Sequence, residues 1–402
     1  MENRKTKYAV AVTGTLLMLL IGLFYAWSLF RVGLSEFFPA WSSADVSLNF
    51  TLFIVFFCSG GLVGGKMAAR FGRQKVMFTS AALLLIGLLV FTTIRNMSPS
   101  SALIITYLSY GVICGLGVGM SYNVIISGVT AWFPKITGLM SGILLTGFGF
   151  GSLIIGSAMM ELAKYIGFFR TFAVTGAVLA VALVAASFLL RREPQSAAET
   201  KTDAAQLQGM TTGQMAKTPE FWLYFFWCIF ISCSGLLVIN SAANIAIYFG
   251  IAAALGLIVS LFNGFARIGM GAFFDRFGGH RSMILNIGLA FFAAIMLLLA
   301  SYTGSVVLMF LGMLAAGATY GGVMALNPSI IKSFFGQKHF GTNFSLIILS
   351  GIPASFVGPY VSGLLLDASG GDYTSTFYAM LGFSIIGLVF FLILCRRKGS
   401  SF

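Results

Sequence analysis

Charge is what this sequence lacks. Only 9% of its 402 residues are Asp, Glu, Lys or Arg, against about 25% in an ordinary soluble domain. Acids are the scarcer sign, 11 in all, and histidines number two, His280 and His339. Glu36, Asp45, Glu161, Asp367 and Asp372 all fall near the ends of apolar runs, so no run carries paired acids. None carries a serine–histidine arrangement or a metal cluster either, and an enzyme is not expected. Cys58, Cys114, Cys228, Cys233 and Cys395 show no metal-ligand spacing and read as small hydrophobes. No metal and no cofactor are expected.

What is abundant is apolar length. Hydrophobic residues make up 58% of the chain and mean hydropathy is +0.96. A helix needs about 20 apolar residues to cross the hydrocarbon layer. Twelve runs meet that need, near 8–30, 46–68, 76–94, 101–131, 137–160, 168–190, 220–248, 251–274, 282–302, 306–331, 342–366 and 374–395. The fold expected is an all-α membrane protein of twelve transmembrane helices in two six-helix halves. The first run has the charged start of a signal peptide, but it is too long and no small-residue cleavage site follows, so it reads as a span.

The net charge of +13 does not point to nucleic acid, because the charge is sorted by side. Alternate loops hold Arg4, Lys5 and Lys7; Lys66, Arg70, Arg73 and Lys75; Lys135; Arg191, Arg192, Lys201 and Lys217; Arg276 and Arg281; Lys332 and Lys338; and Arg396, Arg397 and Lys398. The opposite loops hold only Arg31, Arg95, Lys164 and Arg170. Lys and Arg are retained on the cytoplasmic side, so both termini are expected there, in the cell (inner) membrane.

The chain reads as a duplicated half. Its most polar stretch, 192–218, is expected to be a flexible connector between residues 1–191 and 219–402. Thr218 is placed to cap the seventh span, with Pro219 at its first position and Glu220 in its first turn. "GKMAARFGRQK" from Gly65 follows the second span, and "GAFFDRFGGHR" from Gly271 follows the eighth, 206 residues later. A second reading takes both as tight basic turns and nothing more.

These residues resemble the G-x-x-x-D-R-x-G-R-[R/K] motif of the major facilitator superfamily. Gly65, Arg70, Gly72, Arg73 and Lys75 match it, and Ala69 stands where the acid belongs; the second copy keeps Asp275, Arg276 and Gly278. The resemblance implies two parallel six-helix repeats with substrate near the midplane. It also implies a gate on the cytoplasmic side, to which Asp275, Arg276, Arg70 and Arg73 are assigned. "GLFYAWSLF" (22–30), "GLGVGMSYNVIISGVTAWFPKITGLMSG" (115–142) and "YGGVMALNPSIIKSFFGQKHFGTNFS" (320–345) are similar to stretches of the oxalate:formate antiporter and monocarboxylate transporter families. That resemblance covers essentially the whole chain.

One cation breaks the sorting. Arg267 is the only charged residue from Phe221 to Phe274, and an arginine at mid-bilayer costs about 2.5–3.5 kcal/mol on insertion scales. It precedes Asp275 by eight residues, about 12 Å along a helix. Its planar fork fits a carboxylate, and the resemblance implies that role for an arginine on the eighth span. Snorkelling to the interface and a bond to a neighbouring helix's carbonyls are the other readings. Asn263, four residues earlier on the same face, is suited either to a substrate hydroxyl or to an interhelical bond. Tyr25, Tyr122, Asn123 and Tyr320 are the further binding candidates, each with packing as its other reading; Asn240 and Asn244 rank below them.

The eleventh span, "NFSLIILSGIPASFVGPYVSGLLL", has no cation, whereas the oxalate transporters it resembles have a lysine there. One buried cation matches one carboxylate, so the expected function is secondary transport of small monocarboxylates such as lactate or pyruvate, by alternating access and with a proton. The alternatives are an organic anion exchanger of the oxalate:formate type and a non-transporting membrane sensor. The partners expected are the carboxylate, protons and the bilayer, with no nucleic acid, and the protein is expected to be a monomer.

Overall fold

The computed structural model describes residues 2–190, 209–252, 255 and 258–398, and every regular element among them is helical. Eleven stretches of these residues are long and apolar enough to cross a membrane. They are α1 (Lys5–Ala26), α2 (Leu48–Phe71), α3 (Arg73–Asn96), α4 (Pro99–Ala131), α5 (Pro134–Ile166), α6 (Phe168–Leu190), α7 (Pro219–Tyr248), the long stretch Ile258–Thr303, α10 (Val306–Phe335), α11 (Phe340–Ala368) and α12 (Thr374–Lys398).

The long stretch is two helices. Gly278 within it has φ 80° and ψ 176°, which no helix contains, so α8 runs over 258–277 and α9 over 279–303. Divided there, the spans number twelve, as read from the sequence. Gly72, the equivalent residue of the first motif copy, has φ 86° and ψ 156° and divides α2 from α3 in the same way. This backbone region is essentially restricted to glycine. The duplication is therefore visible in dihedral angles as well as in letters.

Local chemistry sets the helix starts. The Thr218 hydroxyl accepts from the Phe221 N–H at 3.4 Å with Pro219 at the first helical position, as expected, and Ser98 with Pro99 begins α4 in the same way. Ser305 caps α10. Helix α1 ends as a 3₁₀ turn, Gly22–Ala26, while π-helical turns interrupt α4 at Tyr107–Cys114 and α5 at Ser152–Gly156. The buried Tyr110 hydroxyl, in the π turn of α4, donates to the Phe24 carbonyl of the 3₁₀ turn at 2.9 Å. Gly22 and Gly151 let the backbones of α1 and α5 touch, since a Cβ on either would overlap a carbonyl oxygen of the other helix.

The chain forms two compact units. One comprises Met1–Pro134, Leu144–Ala205 and His339–Ser345; the other comprises Lys135–Ile143, Gln206–Lys338 and Leu346–Phe402. The first unit thus takes in the opening residues of α11, and the second those of α5. Of the connector read at 192–218, residues up to 208 lie outside the described residues. The rest includes one short helix, Thr212–Met215, with a capping box between Thr211 and Gln214.

Candidate functional site

Within the second unit, Arg267 lies on α8 and is buried. Among the described residues it is the one charged side chain in the buried set, 8% exposed. The α5 backbone crosses directly over it, because a Cβ on Gly142 would overlap the Arg267 carbonyl oxygen. Asn263 lies one turn away on α8, against Gly317 and Gly321 of α10. A Cβ on Gly321 would stand 3.0 Å from Asn263 Oδ1. That Oδ1 is buried and accepts no hydrogen bond among the described residues. Tyr320, between those two glycines in sequence, is half-buried and packs against Gly235 of α7. Asn263 thus packs on α10 and Tyr320 on α7, while Arg267 shares the Asn263 face of α8 by its four-residue spacing.

The other candidates belong to the first unit. Tyr25, in the 3₁₀ turn, and Tyr122, on α4, meet the same two rings. Tyr25 lies 6.5 Å from Phe57 and 5.0 Å from Phe148; Tyr122 lies 5.0 Å from each. Phe50 and Phe53 extend this group along α2. The two tyrosines were singled out from the sequence, and the group of phenylalanines around them was missed. Its signal was Phe50, Phe53 and Phe57 at helical spacing on one face of α2.

Asn123 is completely buried. Its Nδ2 donates to the Gly341 carbonyl at 2.7 Å and to the Ser345 hydroxyl, both in the opening residues of α11. Gly65 of the first motif copy lies against the same place, where a Cβ would be 3.0 Å from the Gly341 carbonyl. In this conformation Asn123 holds α11 to α4. Asn244 of α7 lines a separate cleft of about 400 Å³ with Asp367, Gly370, Gly371 and Tyr373.

The four residues expected at a gate divide by what they touch. Asp275 accepts the backbone N–H groups of Gly138 at 2.8 Å and Leu139 at 2.7 Å, capping the start of α5 with its carboxylate. Lys332 of α10, which sequence reasoning left among the loop cations, donates to the Thr137 hydroxyl at 2.9 Å beside that cap. Arg70 lies over Phe71 and Arg276 over Phe277, each on its own helix and exposed. Arg73 packs its stem against Gly128 of α4. The copy with an acid thus holds a helix start through a carboxylate. Beside the copy with Ala69, the start of α11 is held by the amide of Asn123 on α4 and approached by Gly65, with no motif carboxylate involved. Among the described residues no group of three or more His, Cys, Asp or Glu is placed to hold a metal.

A family model of the Major Facilitator Superfamily matches residues 10–352. The chain belongs to that superfamily, and it is a multi-pass membrane transporter. It is 27% identical over 351 residues to an uncharacterised MFS-type transporter, YhjX, of Escherichia coli (strain K12), covering 86% of this chain and 85% of that one. It is 27% identical over 390 residues to the oxalate:formate antiporter of Oxalobacter formigenes, covering 95% and 90%. Among solved structures, the proton:xylose symporter XylE superposes with a TM-score of 0.72 at 17% identity, covering 98% of this chain and 96% of that one. The E. coli fucose:proton symporter FucP gives 0.69 at 15%, covering 97% and 99%. At those identities the likeness is one of fold.

Proposed function

We propose that the protein is a secondary carrier of small monocarboxylates of the lactate and pyruvate type, working by alternating access and moving a proton with the anion. The observation that carries this reading is Arg267, the one buried charge among the described residues, set in a 54-residue apolar stretch. A buried guanidinium is neutralised by one carboxylate through two parallel hydrogen bonds. A 2-hydroxyl on the same substrate donates to Asn263 Oδ1, which is buried and otherwise unsatisfied among the described residues. Tyr320, Tyr25 and Tyr122 supply apolar faces with polar tips. Asp275, Arg276, Arg70 and Arg73 serve the cytoplasmic gate. Both termini are cytoplasmic, the membrane is the inner (cell) membrane, and the working unit is a monomer.

Charge also bears on coupling. The empty site carries one positive charge and the loaded site none. Net entry of an anion alone works against the membrane potential at about 2.3 kcal/mol per 100 mV, and a proton moved with it removes that penalty. In proteoliposomes, an imposed inward proton gradient accelerates uptake of labelled lactate with no membrane potential applied. Uptake that ignores the gradient and needs preloaded anion makes the protein an exchanger. That second reading is favoured by the similarity to an oxalate:formate antiporter over 95% of the chain. Binding without any uptake would leave a sensor.

A further inference from the structure

A cavity of about 300 Å³ in the first unit is lined by Phe37, Arg95, Ile166, Gly167, Phe168, Phe169 and Arg170. Three elements build it. Phe37 ends the helix Trp27–Phe37 that continues α1, Arg95 sits in the last turn of α3, and the remaining residues form the corner between α5 and α6. Gly167, with φ 89° and ψ 149°, makes that corner sharp enough for α6 to begin at the cavity wall. The N–H groups of its first turn have no intrahelical acceptor. The rings form one apolar wall, with Phe37 4.9 Å from Phe169 and 5.9 Å from Phe168.

The cations here are the unexplained feature. On the orientation proposed above this is the outer face, where only four of the 24 Lys and Arg residues lie. Lys164 is paired with Glu161. Two of the other three converge on this one cavity. Among the described residues neither Arg95 nor Arg170 has an ion pair or a side-chain hydrogen bond, and the neighbouring Glu36 pairs with neither. Two exposed guanidiniums beside the start of a 23-residue helix make a site for an oxyanion.

We propose that this cavity binds the phosphate of an anionic phospholipid from the outer leaflet. Its position carries the choice of ligand. Arg95 lies where α3 ends and Arg170 where α6 begins, which is the level of lipid phosphates at a membrane surface. The phenyl wall suits the glycerol and first methylenes of a lipid, and a soluble anion has no use for it. The volume admits a head group without its chains. Two positive charges that pair with no acid among the described residues favour a head group of net negative charge and disfavour one that carries an ammonium.

The test uses the full-length protein in detergent, titrated with phosphatidylglycerol or with phosphatidylcholine of the same acyl chains, the bound lipid being counted by intact-complex mass spectrometry. Phosphatidylglycerol binds the wild-type protein about tenfold more tightly, the equivalent of one charge-assisted hydrogen bond. In the Arg95→Gln/Arg170→Gln double variant the preference disappears. The Arg95→Lys/Arg170→Lys variant keeps part of it, which separates loss of charge from loss of fold. A preference that survives in the Gln variant overturns the proposal. So does displacement of the bound lipid by millimolar inorganic phosphate, since the cavity would then be a site for soluble anions.

Discussion

Gly138 and Gly271 touch backbone to backbone. A Cβ on either would overlap the other's carbonyl oxygen, and the Asp275 carboxylate sits one turn further along α8, bonded to the Gly138 and Leu139 N–H groups. The acid's reach depends on that approach. Gly271→Val is therefore expected to separate the helices and to lower both transport and Tm. Asp275→Asn is milder. It keeps one acceptor but turns an amide donor toward a backbone donor, and a polar group left unsatisfied costs about 1–3 kcal/mol. Its expected signature is a lowered Tm in scanning fluorimetry together with slower uptake. An Asp275→Asn protein equal to wild type in both measurements would remove the acid from the gate.

Arg267→Ala is expected to lower lactate uptake by about 10²–10³-fold, the range for removing one partner of a buried, hydrogen-bonded charge pair. Arg267→Lys restores little, because an ammonium lacks the planar fork. Lactate-dependent stabilisation should vanish in parallel with uptake. A folded Arg267→Ala protein that still transports would place the site elsewhere.

Oxalate is expected to compete weakly with lactate. Its second carboxylate finds no cation on α11, and an unpaired charge in a dry site costs several kcal/mol. Equal inhibition by the two anions in a competition assay would show that a second cation reaches the substrate.

Acid should act on the turn leading into α2, at Ser42 and Asp45, before it acts on the spans. Asp45 is bonded to the Ser42 hydroxyl and N–H, and both bonds hold its carboxyl below the ordinary value of 3.8. The bonded form therefore adds stability that is complete above that value and lost as pH falls through the lowered one. The Tm gap between wild type and Asp45→Asn is expected to be present at neutral pH and to close in this acid range. A gap that does not change with pH would assign the effect to packing.

How much of this was legible varied with distance along the chain. The twelve spans, the Thr218 cap and the glycines of the repeated motif were readable because each is a local pattern. Gly278 divides α8 from α9 by its own dihedrals, and its twin Gly72 does the same. Arg267 stood out because no neighbour in sequence shared its charge. The partners of Asn123 lie 218 and 222 residues away, and nothing near Asn123 marks them. The same holds for Thr137 and Lys332, 195 residues apart. The phenylalanine group around Tyr25 was hidden differently, since with 41 phenylalanines in the chain no small set attracts notice.

The opening residues of α11 count among the first compact unit, and this has a consequence for the order in which the molecule is made. A ribosome releases residues 1–190 long before it reaches Gly341 and Ser345. Until then Asn123 has neither of those acceptors, and Gly65 faces no glycine backbone. The amino-terminal half thus spends most of synthesis as an unfinished assembly. Its last pieces arrive only when His339–Ser345 have been translated, so a chain cut at the connector leaves that half permanently short of them.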